Sequence, residues 1–88
     1  MNNVESQKLL PVAWSYPVQV TRRVGPPEYV ENSSQALDCL LHRWPAHTGI
    51  YFEMAKAKCD RAISRSISGE DARDSFISAA IDAHILGY

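Results

Sequence analysis

The chain has 88 residues, 45% of them hydrophobic and 22% charged, which at roughly 100–200 residues per domain leaves room for one globular domain and no second. Nine Lys and Arg against ten Asp and Glu give a formal net charge of −1, so the one-signed excess of a nucleic-acid coater or a polybasic membrane binder is excluded. A domain this small buries only about 60–65% of the surface its unfolded chain exposes, and its stability is on the order of 5–8 kcal/mol.

Residues 1–13 are polar, without a clear period, and read as a flexible N-terminal arm ahead of a single domain over 14–88. Trp14, Tyr16, Val18 and Val20 then share one parity, and Ser15, Pro17, Gln19 and Thr21 the other. That alternation predicts a half-buried strand, with Pro17 at an edge or at the strand's true start. Gly25-Pro26-Pro27 is a chain reversal, and Glu28 to Glu31 is a short second strand antiparallel to the first. A lone two-stranded hairpin is marginal in water, so it must lie on the helices that follow or pair with another chain.

Asn32 or Ser33 opens the first helix, and Asn32 with Gln35 has the spacing of a capping box. Ala36, Leu37, Leu40, Leu41 and Trp44 form its apolar stripe, and Pro45 ends it. The second helix is expected from Thr48 or Gly49 to Ile67, with Phe52, Ala55, Cys59, Ala62 and Ile63 inward. Ser68 caps the third, which carries Glu70 and Asp71 in its first turn and is expected to run from Gly69 to Leu86. Its first stripe is Ala72, Phe76, Ala79, Ala80 and Ala83; Ile77, Ile81 and Ile85 make a second beside it. His84 falls in its last turn, where an imidazolium complements the helix dipole. The fold class is α+β: an N-terminal two-stranded antiparallel hairpin packed on three helices.

Cys39 and Cys59 are too few for a disulfide framework and read as free core thiols in a reducing compartment. Met1 to Ala13 has no apolar run longer than Leu9-Leu10, unlike a signal peptide. No run approaches the ~18 apolar residues of a membrane span. The expected location is the cytoplasm, with no membrane association.

Cys39 and His42, three apart, with His47, Cys59 and His84 elsewhere, lack the paired spacing of a zinc site, so no metal, cofactor or catalytic residue is assigned. The glycines are isolated and form no phosphate loop. Arg22, Arg23, Lys56, Lys58, Arg61 and Arg65 make a candidate basic patch toward nucleic acid, opposed by the acidic start of the third helix. Arg73 is a long cation near a crowded helix start and is a candidate ligand contact. Trp14, Tyr16 and Val18 form a candidate self-association surface if the hairpin is left uncovered.

Two ordered sets of residues carry a family resemblance. One is Pro17-Val18 before the reversal, Ala36-Leu37, and Trp44-Pro45 with Gly49 four on. The other is Cys59, Ala72-Arg73, Phe76-Ile77, Ala79-Ala80 and Asp82-Ala83. Together they resemble the small domain-of-unknown-function family of rhizobia and related alphaproteobacteria, over roughly residues 14–86. The resemblance implies a short single-domain bacterial protein and carries over no functional residue. The leading expectation is a non-catalytic interaction or regulatory module that self-associates, as a homodimer or with an unidentified protein partner. The alternatives are nucleic-acid binding through the basic second helix, and a small-ligand binder or enzyme without a recognisable motif.

Overall fold

The structure, a computed structural model, describes residues 12–87. Apart from Val12 and Ala13, the arm expected over residues 1–13 lies outside the described residues. Strand β1 (Ala13–Val20) and strand β2 (Glu28–Asn32) form the antiparallel hairpin. Helices α1 (Ser33–His42), α2 (Ile50–Ile63) and α3 (Gly69–Asp82) follow. The α+β arrangement is the one the patterning predicts.

The hairpin is regular at one end only. Val18 faces Val30, Gln19 faces Tyr29 and Val20 faces Glu28; Ala13 next faces Asn32. Five steps along β1, from 18 to 13, are therefore matched by two along β2, from 30 to 32. The surplus bows out around Pro17, which has no N–H to give a ladder. Alternation holds only while pairing is regular. Trp14, Val18 and Val20 are buried, but Tyr16, of the same parity, is 70% exposed.

This corrects the self-association surface. Trp14 and Val18 belong to the chain's own core, and only Tyr16 of that trio is exposed. Trp14 stacks obliquely on Phe76, ring centroids 5.7 Å apart, and its Nε1–H donates to the Ser33 hydroxyl at 3.2 Å. Burying an indole this way leaves no unpaired donor. Phe76 is fully buried between Trp14 and Trp44, the latter 5.3 Å away on its other contact. The hairpin is thus covered by α1 and α3 within one chain.

Helix α1 begins as expected, with Asn32 Oδ1 accepting from Gln35 N–H at 2.8 Å. The Gln35 side chain reaches back one residue further than in a capping box, to Glu31 N–H at 2.8 Å. Trp44 lies past the helix end, in the connector, yet is buried.

The other two helices stop short of their patterned ends. Arg65 and His84 take left-handed backbone angles, φ 68° and 60°. Around the first, Ser66 N–H donates to Arg61 C=O and Arg65 N–H to Ala62 C=O; around the second, Ile85 N–H donates to Ala80 C=O and His84 N–H to Ile81 C=O. Each is a Schellman closure, usually built on glycine. With Arg and His at the turning position the sequence shows no stop signal, so the expected ends at Ile67 and Leu86 are corrected to Ile63 and Asp82. His84 accordingly sits beyond α3, and Ile63 and Ile81, read as inward, are exposed.

The turn at His84 returns the chain to the hairpin. Thr21 N–H donates to Ile85 C=O at 2.7 Å and Gly87 N–H to Gln19 C=O at 2.8 Å, with Leu86 bridged antiparallel to Val20. Strand β1 is therefore flanked by β2 on one edge and by this short C-terminal segment on the other. Gly87 permits the approach, since a Cβ there would lie 2.5 Å from Thr21 Oγ1. Among the described residues, no helix is long and apolar enough to cross a membrane.

Candidate functional site

Polar side chains gather at the two ends of the hairpin. At the regular end, Glu28 opens β2 beside the end of β1 and the C-terminus of α1. Its Oε1 accepts from Arg22 Nη1 at 3.1 Å and from Arg43 Nε at 3.3 Å, and its Oε2 accepts from Arg43 Nη2 at 2.7 Å. Arg22 also donates through Nε to the Arg43 carbonyl at 3.2 Å and through Nη2 to Cys39 Sγ at 3.2 Å. Arg43 Nη1 reaches Asp38 Oδ2 at 2.8 Å, and Asp38 Oδ1 pairs with His42 Nδ1 at 3.1 Å.

The electrostatics follow from these partners. Arg43, then Arg22, hold the Glu28 carboxyl below its ordinary range against a partial burial that opposes them. Its hydrogen bonds to Glu28, then Asp38, hold Arg43 firmly protonated. Burial, reinforced by the Glu28 charge, pushes the Cys39 thiol up. Burial alone pushes Cys59 up to about 12. A nucleophilic or metal-binding cysteine needs the thiolate, which both sites disfavour. Cys39 bonds to Arg22 and Glu28 while His42 bonds to Asp38, so the Cys39–His42 spacing does not become a thiol–imidazole pair. Among the described residues, no group of three His, Cys, Asp or Glu side chains is placed to hold a metal ion.

The residues of the candidate basic patch are divided between the hairpin and α2. Arg22 is turned to Glu28, Arg43 and Cys39 at the hairpin. Lys56 lies 3.4 Å from Glu53 and over the Phe52 ring. Lys58, Arg61 and Arg65 lie on α2 or at its end, and Arg23 in the hairpin turn. Helix α2 packs chiefly on α1 and α3.

The irregular end is built differently. The bulged residues have left the ladder, and α3 takes their backbone groups. Glu70 accepts Ser15 N–H at 2.9 Å on one oxygen and the Ser15 hydroxyl at 3.1 Å on the other. Arg73 Nε donates to the Tyr16 carbonyl at 2.8 Å. One turn of α3 thus pins the bulge through a carboxylate and a guanidinium. Glu70 reads in the sequence as a helix-dipole residue, and nothing local signals that its partner is 55 positions away.

Beside this clamp lies an open groove of about 580 Å³. Pro17, Val18, Tyr29, Ile77 and Leu86 give it apolar walls, and Gln19, Gly87 and Arg73 complete the lining. Arg73, singled out in the sequence as a ligand contact, therefore has one foot in the structure and one in a cavity wall. The bulge, the C-terminal segment and α3 together make the groove, and the pairing of residues 85–87 with β1 leaves no mark in local periodicity.

Comparison with known proteins agrees with this architecture. No curated protein matches the chain. The NMR structure of Agrobacterium tumefaciens protein Atu1219, a structural-genomics target, is similar at 32% identity, with a TM-score of 0.74 over 88% of this chain and 77% of that one. The model of the family described as "Protein of unknown function (DUF982)" matches residues 16–87, from the bulge to the C-terminal segment, and the chain belongs to that family.

Proposed function

We propose that this domain is a non-catalytic interaction module that self-associates through the start of α2. The observation that carries the reading is a cluster of large apolar side chains in water: Ile50, Tyr51 and Met54 are 69%, 47% and 45% exposed within five positions. Ile50 and Met54 are one helical turn apart and share a face. Their exposure is unexplained by packing within the chain, and clustered exposed apolar residues mark contact surfaces. The net charge of −1 sets little repulsion against a second copy. The outer edge of β1 is less suited to this role, because the segment 85–87 already lies along it. Two buried, unpaired thiols, Cys39 and Cys59, support placing the module in the reducing cytoplasm.

Light scattering from micromolar to about 100 μM protein tests the proposal, this range bracketing ordinary homodimer affinities. A dimer is expected, and Ile50→Glu with Met54→Glu should return it to monomer with an unchanged circular dichroism spectrum. A monomer across the whole range overturns the reading. Binding to nucleic acid through Lys58 and Arg61 is the outcome to set against it, recognised by an affinity that falls steeply with salt.

A further inference from the structure

We propose that the groove between β1, α3 and the C-terminal segment is a binding site for a small amphipathic monocarboxylate, with Arg73 holding the carboxyl group. This site is separate from the α2 surface and does not depend on self-association.

Arg73 carries the argument. Its Nε is committed to the Tyr16 carbonyl at 2.8 Å, while Nη1 and Nη2 have no acceptor among the described residues. A guanidinium is a planar fork, and fixing one N–H fixes the plane. The edge left open carries two parallel donors, which matches a carboxylate bidentately. Among the described residues, no acidic side chain lines the groove to occupy that edge. A cation on an otherwise apolar wall is complementary to a single negative charge attached to an apolar body.

The walls give the rest of the ligand. Pro17, Tyr29, Ile77 and Leu86 offer rings and branched chains, and the Gln19 amide adds one polar group. A volume of about 580 Å³ falls within the ~300–1,000 Å³ of small-molecule sites, which are mostly apolar with a few placed polar groups. A dicarboxylate or a phosphate ester would bring charge that no second cation among the described lining residues meets. A medium-chain or aryl-substituted monocarboxylate satisfies both the single guanidinium and the apolar walls.

The test uses octanoate, below its micelle concentration, with 1-octanol and acetate as partial mimics, followed by amide chemical shifts of the ¹⁵N-labelled full chain. Octanoate is expected to give saturable shifts at Gln19, Tyr29, Arg73 and Gly87. Octanol, with the tail and no charge, and acetate, with the charge and no tail, should each bind at least tenfold more weakly. Arg73→Met should weaken octanoate at least tenfold. Because Arg73 also holds the bulge, Tyr29→Glu serves as the second variant: Tyr29 is exposed, so the fold tolerates the change, and the new carboxylate repels the ligand. It too should lose at least tenfold. Absence of saturable shifts with octanoate overturns the proposal, as does octanol binding equally well or either variant, folded, binding octanoate as the parent does.

Discussion

The two ends of the hairpin are each fastened to a helix by arginine, and they differ in how fully the arginine is used. At the regular end, Arg22 and Arg43 converge on Glu28, and the third nitrogen of Arg43, Nη1, donates to Asp38. At the bulged end, Arg73 makes one hydrogen bond, to a backbone carbonyl. The first arrangement is closed: every guanidinium nitrogen of Arg22 and Arg43 faces an acceptor of the same chain, and the cluster works as a staple. The second is open, with a structural anchor on one edge of the guanidinium and free donors on the other. Arginine as a residue type therefore says little about function. The number of its donors left unpaired beside a cavity says more.

The comparison is broken most severely at Glu28. Glu28→Ala leaves Arg22 and Arg43 facing one another without the carboxylate, and about 2 kcal/mol of stability is expected to go, since hydrogen bonds to charged groups contribute ~1.5–3 kcal/mol and these are partly exposed. Urea unfolding measures it; a loss below a few tenths would show that the staple is ornamental. The same site sets a pH dependence. The folded state holds the Glu28 carboxyl below its ordinary value of 4.5. Its contribution is therefore complete above the unfolded value and is lost as pH falls from about 4.5 through the folded value. Wild type should lose stability relative to Glu28→Gln over that window, and parallel acid curves would refute the linkage.

Arg73→Met sharpens the contrast from the open end. It removes one hydrogen bond to an exposed carbonyl of the bulged strand that water replaces, so about 1 kcal/mol or less is expected. No acidic partner loses its cation, so the loss should not depend on pH in the window where Glu28 responds. A cost equal to that of Glu28→Ala would mean that the bulge is a structural keystone and the open edge of the guanidinium incidental.

The unequal legibility of these two ends has a physical cause. The strand, the reversal and the three helices follow from periodicity and from Pro17, Pro45, Asn32 and Ser68, because those signals act within a few residues. The burial of Trp14 also rests on size and parity, although its cover, Phe76, is distant in sequence. Tyr16 parts from the burial of its parity because parity presumes regular pairing, and the irregularity depends on acceptors and donors from Glu70 and Arg73. The groove was not legible for the same reason: its walls come from both strands, α3 and the chain's last residues. Arg73 stood out only as a cation among small residues, which located a groove wall without defining the groove.

The smallest expected effect concerns how the open end is closed off behind. His84 turns the chain with φ 60° so that residues 85–87 can lie along β1. A left-handed angle costs a residue with a Cβ about 1–2 kcal/mol, and glycine avoids this while giving back part of it in unfolded-chain entropy. The His84 side chain is exposed and has little buried surface to lose. His84→Gly should therefore stabilise the fold by about 0.5–1 kcal/mol, equivalent to a rise of roughly 3–6 °C in Tm for a domain of this size. Because the C-terminal segment depends on this turn, hydrogen exchange at Thr21 and Gly87 should slow along with it. If Tm rises while those two amides exchange as before, the strain at His84 is real but the segment's hold on β1 is set elsewhere, in the Leu86 contact with Val20. If Tm does not rise, the imidazole is doing something at the turn that its backbone angle conceals.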